Sequence, residues 1–143
     1  MTLGNKRILG IDYGDRRIGV AITDPLRIFV YPLITIINDE KMLENFSILF
    51  SEYEIEKIVL GYPYKEDGSK WQVTENIEKF AELLKKQFNI EIEFYDERYS
   101  SEIAKGRVLQ STSKRSKRRE KGIIDKNAAA IILEDYLKER NII

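Results

Sequence analysis

The stretch Ile8-Leu9-Gly10-Ile11-Asp12-Tyr13-Gly14, followed by Asp15-Arg16-Arg17 and a second apolar run from Ile18 to Thr23, constrains the fold more than any other part of the chain. It reads as a buried strand, a tight turn and a return strand, with one carboxylate near the turn. Ile8, Leu9 and Ile11 are apolar without alternation, the pattern of a strand covered on both faces. Gly14 frees the turn of side-chain sterics, and Gly10 and Gly19 leave the flanking strands bare. On the strand period of two, Gly10 and Asp12 share a face. Asp12 is therefore expected above cleared ground, with room for a metal ion or a phosphate. The plain alternative is a turn aspartate bonded to its own backbone.

The rest of the chain supplies the layers. Ile28 to Ile37 reads as a third strand in which Pro32 marks an edge position or a bulge. Asn38 or Asp39 can cap a helix to about Glu54, with Met42, Leu43, Phe46, Leu49, Phe50 and Tyr53 as its apolar stripe. Ile58-Val59-Leu60 is a short strand leading into Gly61-Tyr62-Pro63-Tyr64. A second helix to about Phe88 buries Val73, Ile77, Phe80, Ala81, Leu84 and Phe88, and Asn89 stops it. Ile90 to Asp96 is the fifth strand. A short helix from Ser100 or Ser101 to Gln110 is expected next, then a basic loop. A last helix runs from about Asp125 to Arg140, with Ala128, Ala129, Ile132, Leu133, Tyr136 and Leu137 inward. The order predicts an α/β chain forming one domain over residues 1–143. Strands one to three form an antiparallel meander, strands four and five join in parallel after helical crossovers, and helices flank the mixed five-stranded sheet.

Composition narrows the chemistry. The chain has no cysteine and no histidine, so it has no disulfide framework, thiolate zinc site or imidazole acid, base or ligand. Catalysis falls to carboxylates, lysine, tyrosine, hydroxyls or an oxygen-bound metal, and hard oxygen donors favour magnesium or manganese. The longest near-apolar run, Ile28 to Ile37, is too short for a bilayer and is broken by Pro32. The N-terminus lacks the order of a secretory signal, so a cytoplasmic protein is expected. Net charge is zero but uneven. Lys105, Arg107, Lys114, Arg115, Lys117, Arg118, Arg119 and Lys121 face only Glu120 between Lys105 and Lys121, so this segment carries +7 and the remainder −7. A basic run on an acidic protein points to a polyanionic partner, against a merely solvated loop.

Three acids fall in comparable places: Asp12 ending strand one, Asp96 or Glu97 ending strand five, and Asp125 opening the last helix. Asp125 precedes Ala128, Ala129 and Ile132 by three, four and seven residues, which puts it on the face toward the sheet; as an alternative, it is only an N-cap. If strands one and five are neighbours, the three acids converge, and such a cluster needs cations. Two divalent ions about 3.5–4 Å apart, held by such carboxylates, serve phosphodiester cleavage. The basic segment would hold the nucleic-acid backbone. Alternation leaves open whether Asp96 or Glu97 faces the site.

These pieces resemble the YqgF-type family of pre-16S rRNA nucleases and Holliday junction resolvases, within the RNase H-like superfamily. The resemblance rests on Gly10-Ile11-Asp12-Tyr13-Gly14 with Arg17-Ile18-Gly19-Val20-Ala21, and on Val59-Leu60-Gly61-Tyr62-Pro63 with Asp67-Gly68. It continues through Asp96-Glu97-Arg98-Tyr99-Ser100-Ser101, and through Lys114 to Lys121 leading to Ile124-Asp125 and Ala128-Ala129. It implies an RNase H-like fold, divalent-metal nuclease chemistry, and maturation of the 5′ end of the small-subunit ribosomal RNA precursor. It assigns the metal ligands to Asp12, Glu97 and Asp125, choosing Glu97 over Asp96. Tyr64-Lys65-Glu66 is bulkier than the family's usual polar run, and Ser101 stands at its usual threonine.

Arg16, Arg17, Arg98, Lys114, Arg115, Lys117, Arg118, Arg119 and Lys121 are the expected phosphate contacts, although Arg17 can equally pair with Asp15 or Asp24. Trp71 is read as a loop anchor rather than a base-stacking residue. Two other readings stand beside the RNA nuclease: a resolvase of branched DNA, and a non-catalytic nucleic-acid or transcription-complex binding protein. A resolvase cuts two strands symmetrically and so requires a homodimer; the residues mark no dimer interface, and monomer and homodimer both stay open.

Overall fold

The computed structural model describes residues 6–63, 72–96 and 117–140. In chain order come β1 (Arg7–Tyr13), β2 (Arg17–Thr23), β3 (Val30–Ile37), α1 (Met42–Glu52), β4 (Ile55–Tyr62), α2 (Gln72–Phe88), β5 (Glu91–Asp96) and α3 (Lys117–Glu139). The strands form one five-stranded sheet in the order β3-β2-β1-β4-β5. The β1–β2 and β2–β3 pairs are antiparallel, and β1–β4 and β4–β5 are parallel. This is the expected mixed sheet.

Helices cover both faces. Leu9 and Ile11 of β1, Ile18, Val20 and Ile22 of β2 and Ile58 and Leu60 of β4 pack against Met42, Phe46 and Leu49 of α1 and Ile77, Phe80, Ala81 and Leu84 of α2. On the opposite face Ile8, Ala21 and Val59 meet Ala129, Ala130, Ile132, Leu133, Tyr136 and Leu137 of α3. The unbroken apolar character of β1 thus has its expected cause. No described helix is long and apolar enough to cross a membrane.

The sheet's edge at β3 bears out the reading of Pro32. That strand is outermost, and its pairing with β2 slips where Ala21 faces Pro32 and Val20 faces Ile34, leaving Leu33 as the extra residue of a bulge. β3 begins at Val30 rather than Ile28 because Asp24 gathers the preceding turn. The Asp24 carboxylate accepts hydrogen bonds from the backbone N–H groups of Leu26 at 3.3 Å, Ile28 at 2.7 Å and Phe29 at 2.8 Å, with Arg27 in the left-handed region at φ 58°. Burial works against the Asp24 charge, but those amides outweigh it and hold the carboxyl below its usual range.

Two helix starts differ from expectation. Asn38 does not cap α1: its side chain serves the β1–β2 turn, and Asp39 accepts the Lys41 N–H at 2.9 Å ahead of the helix. More consequentially, α3 begins at Lys117, eight residues before Asp125. Lysine, arginine and glutamate are good helix formers, and Gly122 costs only about 1 kcal/mol inside a helix. The end of the basic segment is therefore helix rather than loop, and Asp125 is not an N-cap. The stop at Asn89 is observed, with φ 51° and its N–H on the Lys85 carbonyl at 2.9 Å. The helix expected between Ser100 and Gln110, and the loop carrying Tyr64, Asp67 and Trp71, lie outside the described residues.

The far end of α3 is tied to the sheet by charge. Lys57 of β4 lies 2.8 Å from Glu93 of β5 and donates to the Tyr136 hydroxyl at 2.7 Å. Tyr136 in turn donates to Glu93 at 3.1 Å, and Arg140 pairs with the same carboxylate. Burial opposes the charge on Glu93, but hydrogen bonds from Lys57 and Tyr136 and the charges of Lys57 and Arg140 prevail, so its carboxyl titrates below the usual glutamate range. A depressed folded-state pKa gives stability that is present above the unfolded value, about 4.3, and lost as pH falls through the folded one. Urea unfolding across pH 3 to 6 is expected to show a steeper acid loss for the wild type than for Glu93→Gln.

Candidate active site

Asp12 ends the α3-facing side of β1. Ile8 belongs to the α3 core and Leu9 and Ile11 to the opposite one, so alternation places Ile8, Gly10 and Asp12 together beneath α3. On β2 the same face carries Arg17, Gly19 and Ala21, and Gly19 is the register partner of Asp12.

The two glycines decide how α3 lies. A Cβ at Gly19 would fall 1.9 Å from the Asp125 carbonyl oxygen, and one at Gly10 would fall 2.8 Å from both the Ala129 carbonyl oxygen and the Leu133 Cβ. Helix backbone therefore rests directly on sheet backbone. The sequence suggested room for a metal ion or a phosphate over Gly10 and Gly19; the backbone of α3 fills that ground instead. Residues opposed in an antiparallel pair have Cβ atoms about 5 Å apart, so the Asp125 backbone, seated where a Gly19 side chain would stand, lies beside Asp12. Asp12 and the backbone of Asp125, 113 positions apart in the chain, thus lie close together at the carboxyl end of β1.

Around this pair the structure adds contacts that no spacing in the sequence announces. Arg17 Nε donates to Asp125 Oδ2 at 3.1 Å, so its partner is Asp125 rather than Asp15 or Asp24. Both groups are partly open to solvent, at 31% and 22%. Asn38 donates from Nδ2 to the Gly14 carbonyl at 2.9 Å, and its backbone N–H donates to the Arg16 carbonyl at 2.9 Å. The turn behind Asp12 is thus fixed from β3's end.

β1 and β5 are not neighbours, as convergence was expected to require; β4 lies between them. Its contribution at this level is Gly61, one position past the Ile11–Leu60 pair and on the same face as Val59. The intervening strand thus presents no side chain beside Asp12. Asp96 alternates with Ile92, which packs with the α1/α2 core, so it takes the side away from Asp12 and Asp125. Glu97, Arg98, Lys114 and Arg115 lie outside the described residues. Lys117, Arg118, Arg119 and Lys121 fall on the first turns of α3, with side chains outside those described. Among the described residues no group of three or more acids gathers at one point.

The family profile described as "RuvX: Holliday junction resolvase" matches residues 6–139. The chain belongs to the RuvX family. Membership makes it a nuclease, a hydrolase of phosphodiester bonds. Curated relatives agree. A protein of Chlorobaculum tepidum is 42% identical over 134 residues, covering 93% of this chain and 94% of its own. One of Desulfitobacterium hafniense is 36% identical over 138 residues, covering 94% and 96%. Both are named "Putative pre-16S rRNA nuclease". Among solved structures, RuvC of T. thermophilus in complex with a Holliday junction substrate superposes with a TM-score of 0.51 at 9% identity, covering 94% of this chain and 96% of that one. At that identity the likeness is one of fold, and the fold is RNase H-like, as the resemblance implied.

Because Gly19 carries the helix that brings Asp125 to Asp12, Gly19→Ala is expected to cost about 3 kcal/mol, the upper end of overpacking penalties. The loss should exceed that of Gly10→Ala in urea unfolding, since the blocking atom at Gly19 is helix backbone at much shorter range.

Proposed function

We propose that the protein is a divalent-metal-dependent nuclease that matures the 5′ end of the 16S ribosomal RNA precursor, with Asp12, Glu97 and Asp125 as its cation-holding catalytic acids. The observation that supports this most is the seating of Asp125 over Gly19, beside Asp12. Hard carboxylate oxygens side by side suit Mg2+ or Mn2+, and their repulsion favours a cation between them. The side taken by Asp96 supports Glu97 as the third acid. β1 and β5 stand two strand spacings apart, about 10 Å, a gap that carboxylate reach and a pair of cations suit.

When bound, the cations supply Lewis-acid stabilisation of the attacking and leaving oxygens in an in-line displacement. The chain's own part is to hold and orient. Asp12 and Asp125 are fixed by sheet and helix backbone, so little rearrangement is needed when charge develops. Arg16, Arg17, Arg98, Lys114, Arg115, Lys117, Arg118, Arg119 and Lys121 hold the phosphate backbone, which makes binding fall with salt and leaves the sugar unread. The names of the curated relatives favour the ribosomal RNA precursor, met in the cytoplasm, where we place the protein. The family's description favours branched DNA as the second substrate.

Purified protein with Mg2+ or Mn2+ on a labelled 5′-extended 16S precursor and on an immobile four-way DNA junction tests this. Trimming of the RNA is expected, falling about a thousandfold in Asp12→Asn and in Asp125→Asn, as loss of a cation worth several kcal/mol requires. Symmetric junction cuts without RNA trimming would favour the resolvase. Binding without cleavage, unchanged in both variants, would overturn the nuclease reading of these acids.

A further inference from the structure

Arg17 opens β2 on the α3 face, and its guanidinium is the observed partner of Asp125 at 3.1 Å. The other ion pairs among the described residues, Arg27 with Glu56, Lys57 with Glu91 and Glu93, and Arg140 with Glu93, lie at the opposite end of the sheet. At this end the Arg17 guanidinium sits on an acid that the proposed function assigns to a metal. A guanidinium hydrogen-bonded to a carboxylate already compensates part of the charge that a cation there would meet. A divalent ion arriving at the same carboxylate places two more positive charges within a few ångströms of Arg17, in a site partly withdrawn from water where such repulsion is poorly screened.

We propose that Arg17 is a positioning residue shared between Asp125 and the substrate phosphate. It holds the Asp125 carboxylate in the metal-free protein and is displaced onto the nucleic-acid backbone when a cation takes that carboxylate. This rests on the reading of Asp125 as a cation ligand. The geometry suits an exchange: the pair is partly exposed, it adjoins the Gly14–Arg17 turn that Asn38 fixes, and a planar guanidinium suits a phosphate as well as a carboxylate. The consequence is reciprocal. The cation strengthens substrate binding by freeing Arg17, and substrate strengthens cation binding by the same factor, within the usual range of about 5- to 150-fold.

Mn2+ titrated calorimetrically into wild type, Arg17→Ala, Arg17→Gln and Arg16→Ala separates this from simple charge removal. Both Arg17 variants are expected to bind Mn2+ about tenfold more tightly, since no guanidinium must leave, whereas Arg16→Ala, which removes the same charge from an exposed neighbour, stays within about twofold. Ca2+ is expected to strengthen the binding of a fluorescein-labelled single-stranded RNA to the wild type about tenfold and to leave the Arg17 variants unchanged. Equal or weaker Mn2+ binding in the Arg17 variants, or retained coupling, overturns the proposal. Asp125→Asn tells the two readings apart. If it leaves Mn2+ binding intact, the cation reading of Asp125 fails; if it abolishes binding while Arg17→Ala changes nothing, only the role of Arg17 fails.

Discussion

Backbone-to-backbone contact between α3 and the first two strands is the constraint from which the site follows. With no side chain at Gly10 or Gly19, the helix settles to the depth set by its own carbonyl oxygens and by Leu133. The alanines at 128, 129 and 130 are buried on the same helix, and larger residues there would hold it off the sheet. That depth brings Asp125 alongside Asp12. Close packing of this kind has few alternatives, because interiors tolerate neither overlap nor voids. The two acids are thus positioned by close-packed sheet and helix backbone.

The two ends of the sheet are built for different tasks. At the amino ends of β1 and β4 and the carboxyl end of α3, Lys57, Glu93, Tyr136 and Arg140 form a closed network in which opposite charges satisfy one another. At the carboxyl end of β1, acids gather on one face, the neighbouring strands contribute glycine, and the described compensation is Arg17. The first arrangement neutralises itself and stabilises; the second is the one to which the proposed function assigns cations. Asp24 makes the same contrast, since its charge is spent on the amides of its own turn.

Most of the fold was legible because it rests on local periodicity. The stripes Met42-Phe46-Leu49, Ile77-Phe80-Ala81-Leu84 and Ala129-Ile132-Leu133-Tyr136 are all buried as three-four spacing predicts. Boundaries were less so where tertiary structure outweighs local signals. Gly122 sits inside α3, and Asn38, a good cap by type, bonds a turn 24 residues away instead. The positions of Asp12 at the end of β1 and of Asp125 on the sheet-facing side of α3 follow from their local settings. The partner of Arg17 does not, because it lies 108 residues along the chain and nothing local encodes it. The condition that β1 and β5 adjoin is unmet for a related reason. Strand order is decided by crossover connections, and β4 enters between them with Gly61 at the level of Asp12.

The central claim is that the seating of α3 makes Asp12 and Asp125 two arms of one cation site. Crystals of the protein soaked in Mn2+, with data collected at the manganese absorption edge, test it most directly. The account predicts an anomalous peak within coordination distance, about 2.0–2.6 Å, of carboxylate oxygens from both Asp12 and Asp125. A protein that binds manganese only elsewhere, or whose two aspartates remain unoccupied at saturating metal, would contradict it.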